Sequence, residues 1–365
     1  MAGLTRRRFL ASAASLAAGG TAAGFAARAS GQSFVDGAGL PGPYATPQWP
    51  LTDVGISPAV EQAIEKGLQY LGKRLREDGS IGSGGYPRNI AVASLAGMSF
   101  IASGSTPGRG PWGEHVTRCL DFVLTAATPD GMIIEPSSAS YGPMYGHGFS
   151  TLFLAEVFGM SPDTQVRQAL TRAVRLIVAA QNDEGGWRYK PASADADVSV
   201  TVCQFMALRA ARNAGVGVPA VMINQAIDYI KRCQNPDGGF MYTLQQGGPS
   251  AFPRSAAAVT ALFAAGLHDD KAVAAGLDYL VHNAPKSASS DHESRYFYAQ
   301  YYMAQAMWHA GADVFRQWYA AASDFLVAQQ RQDGSWQGDI CPEYCAAMAT
   351  LALQMPNNYL PIFQR

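Results

Sequence analysis

Two carboxylates stand two residues apart, Asp195 and Asp197, in the stretch Asp195-Ala196-Asp197-Val198-Ser199-Val200-Thr201, directly ahead of a largely apolar run. A third acid, Glu343, holds a similar place ahead of the last apolar run, next to Tyr344 and Cys345. A carboxylic acid kept protonated by burial can give its proton to an apolar substrate. A carboxylate pair such as Asp197 and Glu343 could instead share acid and base work on a glycosidic bond. Asp195, Asp197 and Glu343 are therefore the catalytic candidates. Asp197 has an equally simple structural reading, as the N-cap of a helix beginning near Ser199.

Other polar and aromatic side chains recur at corresponding places. Tyr145, His147, Arg254, Arg295, Tyr296, Tyr298 and Tyr344, together with Tyr86, Asn89 and Cys345, all lie at or near the start of an apolar run. If those runs are parallel helices, the set rings one mouth, and convergent polar groups over apolar walls make a ligand site. The dense run Tyr296, Tyr298, Tyr301 and Tyr302 offers aromatic faces that stabilise cations or stack on sugars, with core packing as the ordinary alternative. His147, between Gly146 and Gly148, could equally be a satisfied structural histidine. Cys341 and Cys345 are four apart and could join His147 around a metal, but Pro342 intervenes and only two such ligands are local. Neither a metal nor a cofactor is expected.

The elements that must position these residues announce themselves by repetition. Gln181-Asn182-Asp183-Glu184-Gly185-Gly186-Trp187 returns as Gln234-Asn235-Pro236-Asp237-Gly238-Gly239-Phe240 and as Gln330-Arg331-Gln332-Asp333-Gly334-Ser335-Trp336. Weaker copies lie at Glu77 to Ile81 and Pro129 to Met132. The acid before each glycine falls at 78, 130, 184, 237 and 333, so the steps are 52, 54, 53 and 96, the last being two units of 48. A sixth turn is expected near Asn283-Ala284-Pro285-Lys286. Such a period marks a repeated supersecondary unit. Apolar spacing of three and four on both sides of each turn predicts helices, and Asp-Gly supplies the tight link between them. Inner helices are expected over Asn89 to Ser103, Gly148 to Phe158, Thr201 to Ala214, Ser255 to Leu267, Tyr296 to Ala310 and Glu343 to Met355. The turn aromatics should pack between hairpins and the repeated glutamines should cross-link helix ends.

A helix hairpin cannot bury both faces alone, and an open stack of hairpins needs polar caps. The last inner run, Ala346 to Leu353, is as apolar as the others. Six hairpins should therefore close into a ring, an all-α (α/α)6 toroid with small-residue-rich inner helices around a central cavity.

Composition limits the partners. Thr5-Arg6-Arg7-Arg8-Phe9-Leu10, the Ala/Gly-rich run to Phe25 and Ala27-Arg28-Ala29 have the form of a twin-arginine export signal. Residues 1–29 are read as that signal, 30–55 as a Pro/Gly-rich arm and 56–365 as the toroid, with a periplasmic location expected. Without residues 1–29 the chain has 23 basic and 28 acidic side chains. No basic stripe suggests nucleic acid, and past the signal no apolar run is long enough to span a bilayer. The sequence does not identify a protein partner. The five cysteines show no disulfide framework, and Cys119, Cys203 and Cys233 read as small core residues.

The Gln-x-x-Asp-Gly-Gly-Trp copies, with an Ala-rich helix after each, resemble those of the squalene–hopene cyclase and protein prenyltransferase β-subunit superfamily over roughly residues 56 to 355. That resemblance implies an (α/α)6 toroid whose cavity accepts an isoprenoid chain. It also implies two chemical signatures, and both are altered here. The family's cyclases carry Asp-x-Asp-Asp-Thr-Ala ahead of an inner helix, whereas aligning Thr201 with the motif threonine leaves Val200 and Ser199 where acids belong. Its prenyltransferases bind zinc through Asp-x-Cys-Tyr and a later His, whereas here the stretches read Glu293-Ser294-Arg295-Tyr296 and Glu343-Tyr344-Cys345. The expected partner is an isoprenoid-like apolar small molecule. The remaining readings are a non-catalytic lipid- or protein-binding toroid and a carbohydrate-active (α/α)6 enzyme.

Overall fold

The computed structural model describes residues 55–137, 142–284 and 295–364. The segments read as export signal and arm lie outside these residues, apart from Gly55, as do Pro285 and Lys286 of the expected sixth turn. Within the described residues twelve α-helices alternate between an outer and an inner layer. The outer helices are α1 (Pro58–Arg74), α3 (Gly113–Thr125), α5 (Thr164–Ala179), α7 (Ala220–Arg232), α9 (Lys271–His282) and α11 (Ala312–Gln329). The inner ones are α2 (Ile90–Ala102), α4 (Met144–Met160), α6 (Val198–Asn213), α8 (Phe252–Ala264), α10 (Tyr296–Ala310) and α12 (Pro342–Leu353). Each inner helix packs on the next, and α12 packs back on α2 and α1, so the six hairpins form a closed (α/α)6 toroid.

Sequence pattern separates the two layers. In α1 the buried residues are Val60, Ala63, Ile64, Gly67, Leu68 and Leu71, a single stripe at three- and four-residue spacing. In α2 every residue except Ala91 is buried, because an inner helix meets neighbours on all sides. Small residues allow that crowding. A Cβ on Gly97 would come within 2.6 Å of the Phe153 ring of the next inner helix.

The turns carry the ring geometry. Asp237 Oδ1 accepts from Gly239 N at 3.0 Å and Asp333 Oδ1 from Ser335 N at 3.0 Å, closing the link locally. Gln181 Nε2 donates to Gly185 O and to Met222 O, Gln234 Nε2 to Gly238 O and Ala272 O, and Gln330 Nε2 to Gly334 O and Ala63 O. Each glutamine thus ties its own turn to the following outer helix. Trp187 and Trp336 are buried, and their indole N–H groups donate to Ile177 O and Leu326 O at 2.7 Å.

The first glycine of each turn has positive φ and presses its Cα against a carbonyl of the next outer helix. A Cβ would sit 1.9 Å from Arg118 O at Gly79, 2.4 Å from Arg172 O at Gly131, 2.6 Å from Gln225 O at Gly185 and 2.3 Å from Ala275 O at Gly238. At Gly334 the carbonyl is that of Lys66 in α1, again at 2.3 Å. The last turn therefore uses the first helix as its next neighbour. The seam is reinforced by Glu343, whose Oε1 accepts from Arg74 Nε at 2.8 Å and Oε2 from Ser83 Oγ at 2.7 Å. Thr350 Oγ1 also donates to Ser99 Oγ across it at 3.1 Å.

This contact can be separated from the backbone preference. Gly334 (φ +89) and Gly266 (φ +86) share the left-handed region, yet nothing lies within 4 Å of a Cβ on Gly266. Gly266→Ala should cost only about 1–2 kcal/mol of conformational strain. Gly334→Ala should cost that plus the roughly 1–3 kcal/mol of forced repacking. Denaturant unfolding of the two variants checks the difference, and equal losses would contradict the backbone-contact role.

Candidate functional site

A cavity of about 400 Å³ opens at the N-terminal ends of the inner helices. Its walls are largely apolar, with Ile90, Val92, Ile133, Ile134, Phe149 and Ile340 among them. Its polar groups are Tyr86, Asn89, Glu135, Tyr145, Arg295, Tyr298, Asp339 and Tyr344. These residues come from the first, second, fifth and sixth hairpins, so the site exists only because the ring closes.

Of the residues expected at this mouth, Tyr145, Arg295, Tyr298 and Tyr344 are there, with Tyr86 and Asn89. Burial pushes the pKa of Tyr145, Tyr298 and Tyr344 well up, so these phenols stay neutral. Asn89 caps α2 through Oδ1, which accepts from Ala91 N and Val92 N. Arg295 holds positive φ (+80) just ahead of α10, and its backbone N–H donates to Asp339 Oδ2 at 2.8 Å, joining the fifth hairpin to the sixth.

The other expected residues lie elsewhere. His147 is fully buried: its Nδ1 accepts from Ile133 N at 3.2 Å and its Nε2 faces Ala173 O at 3.3 Å, as an N–H donor. It is a neutral strut between the second turn and α5, and burial lowers its pKa to about 4. Successive helical residues turn by about 100°, so His147 faces away from the side that Tyr145 shows to the cavity. Tyr296 is likewise two positions from Tyr298, and its ring rests 5.6 Å from that of Phe325 on α11. Arg254 donates through Nε to Phe240 O at 2.7 Å and through Nη2 to Pro249 O, so it braces the fourth turn. Cys345 is buried and does not line the cavity.

The three catalytic candidates are also outside the cavity lining. Glu343 is buried in the ring seam with both oxygens engaged. Asp197 is the N-cap of α6, accepting from Val200 N at 2.9 Å, and its carboxylate meets Arg188 Nη1 at 3.2 Å. Asp195 meets Arg188 Nε at 3.3 Å. Arg188 lies over the rings of Tyr189 and Tyr242, which fixes the cluster at the third and fourth turns. Burial raises the Asp197 pKa to about 6, against the opposing pull of the Val200 N–H and of Arg188. Asp197 is fully buried and is not among the residues that line the cavity.

Glu135 and Asp339 line the cavity without having been singled out in the sequence. Both follow an Asp-Gly turn, five residues after Asp130 and six after Asp333, and that placement was the available signal. Burial works to raise the Glu135 pKa, but the Ser137 hydroxyl and amide and the Arg88 guanidinium outweigh it and hold the group below the usual range. His147, the third donor weighed with Cys341 and Cys345, has both ring nitrogens engaged by backbone groups of Ile133 and Ala173. Among the described residues no three His, Cys, Asp or Glu side chains gather into a metal-sized group.

The architecture is that of known toroids. No family model matches the chain. Among curated proteins, a drimenyl diphosphate synthase of Streptomyces showdoensis is 26% identical over 167 residues, covering 46% of this chain and 30% of that protein. One from Streptantibioticus cattleyicolor is 27% identical over 137 residues, covering 37% and 24%. The matched region thus spans less than a third of either relative. Among solved structures, the type II terpene cyclase MstE from Scytonema, in complex with geranylgeranyl dihydroxybenzoate, aligns at a TM-score of 0.56 and 15% identity, over 83% of this chain and 98% of that one. An α-1,6-mannanase of Salegentibacter sp. in complex with α-1,6-mannotriose aligns at 0.57 and 8%, over 82% and 99%. The chain has the (α/α)6 toroid fold that both the terpene cyclase and the mannanase display.

Two buried ionisable groups pull stability in opposite directions with pH. Asp197 keeps its proton in the fold up to about pH 6, so its contribution falls as pH rises from about 4 to 6. His147 resists protonation in the fold down to about pH 4, so its contribution rises between about pH 4 and 6.5. Asp197→Asn, which keeps a capping side chain, should therefore steepen the loss of stability on acidification. His147→Gln should flatten or reverse it. Denaturant midpoints measured from pH 4 to 7 decide, and parallel curves for all three chains would refute the assignment.

Proposed function

We propose that this protein holds an isoprenoid or similar apolar molecule in the cavity at the N-terminal end of its inner helices, after export through the twin-arginine route. The observation that carries the reading is the cavity itself: largely apolar walls under a rim of neutral phenols, Arg295 and the carboxyls of Glu135 and Asp339, with a volume suited to a small ligand. The bound geranylgeranyl compound in the MstE toroid and the drimenyl diphosphate synthase relatives support the same ligand class. Thr5 to Leu10 with its following apolar run supports export.

Binding is favoured over catalysis. Asp197 has the raised pKa a proton donor needs, but Arg188 and the α6 amide engage its carboxyl and it does not line the cavity. A glycosidase built on Asp197 and Glu343 is disfavoured as well, since Glu343 is spent on Arg74 and Ser83 in the seam.

Incubation of the mature chain with squalene and with polyprenyl diphosphates, followed by native mass spectrometry and product analysis, tests both points. A retained, unaltered ligand is expected. Tyr145→Ala, which removes a cavity-wall ring, should weaken retention about tenfold, equivalent to about 1.4 kcal/mol. Absence of binding to any of these compounds would overturn the proposal, and a cyclised product would restore the catalytic reading of Asp197.

A further inference from the structure

The far end of the toroid, where the inner helices finish, is crossed by the last residues of the chain. After α12, Gln354 Nε2 donates to Ser99 O at 3.1 Å and Asn357 Nδ2 to Ala102 O at 3.3 Å, both at the end of α2. The Tyr359 ring lies against Gly104, just beyond α2. The short 3₁₀ turn Pro361–Phe363 then packs on α4 and α6. Leu360, Ile362 and Phe363 are buried to within 2% exposure. The Ile362 N–H points at the carboxylate of Glu156, itself 1% exposed near the end of α4, at 3.2 and 3.4 Å from its two oxygens.

A line of rings connects this tail to the ligand cavity. Tyr298, which lines the cavity, lies 4.8 Å from Tyr302 one helical turn deeper on α10. Tyr302 lies 4.9 Å from Tyr301, and Tyr301 lies 6.4 Å from Phe363. This line of rings runs from a cavity-lining residue at one end to the tail at the other.

We propose that the C-terminal tail is a stopper that makes the cavity blind and, through the aromatic line it supports, sets how long an apolar ligand the protein accepts. This rests on the apolar-ligand reading above. Phe363 backs Tyr301, which in turn packs on Tyr302, so these rings are held in place against an incoming chain end. Interiors packed at crystal density yield little to an extra methylene. Without the tail, those rings gain free volume behind them and the cavity can deepen.

The test compares the full mature chain with Phe363→Ala and with a chain ending at Asn358. Affinities for geraniol, farnesol and geranylgeraniol are measured by native mass spectrometry, alongside hydrogen exchange of the amides in 153–160. The full chain is expected to bind the longest alcohol at least about tenfold more weakly than the best one. Both variants should lose that discrimination, and the shortened chain should lose amide protection at the end of α4. Probes that bind with the same length preference in all three chains would overturn the stopper while leaving ligand binding intact. If no alcohol binds any chain, the ligand reading fails, and the exchange data judge the tail separately: unchanged protection of 153–160 in the shortened chain would overturn its role as a plug.

Discussion

The structure depends on a contact that has no side chain on one of its two faces. In every described Asp-Gly turn, a glycine in the left-handed region brings its Cα against a carbonyl of the next outer helix, leaving no space for a methyl group. That contact fixes the angle between one hairpin and the next. Because its last instance, Gly334, meets Lys66 of the first outer helix, the same angle repeated around the chain closes a ring. The glutamine bridges and the Glu343 pair with Arg74 secure that closure chemically. Everything functional follows from it. The cavity draws its walls from hairpins at both ends of the sequence, and no open arc could assemble it.

The fold was legible because it is written in repetition. The spacing of the Asp-Gly turns located the hairpins, the single apolar stripe marked outer helices, and uniformly apolar, small-residue runs marked inner ones. The described inner helices begin and end within a few residues of the expected ranges, apart from α4, which starts four residues earlier at Met144. Even the cross-linking job of Gln181, Gln234 and Gln330 could be read, since the same residue at the same place in three turns serves what those turns share.

The site was only half legible, and the reason is angular. Knowing that a residue stands at the start of an inner helix gives its height in the ring but not its direction. Tyr145 and Tyr298 face the cavity, whereas His147 and Tyr296, two residues away on the same helices, face an outer layer. Tyr344 lines the cavity while its neighbour Glu343 looks back into the seam. The acids misled for a related reason. A carboxylate just ahead of a helix is as useful for capping or cross-linking as for chemistry, and Asp197 and Glu343 are engaged in those tasks. Depth was not legible at all, because the tail that closes the far end carries no repeat signature.

Ring closure is the claim on which the cavity, the seam and the tail all stand, and native-state hydrogen exchange in mild denaturant addresses it most directly. An open stack of hairpins frays from its ends, so its terminal helices exchange well before its middle ones. A closed toroid has no ends. The buried amides of α1, α2, α11 and α12 should therefore open with the same free energy and the same denaturant dependence as those of α6 and α8. Early, separate exchange of the first and last hairpins would contradict closure.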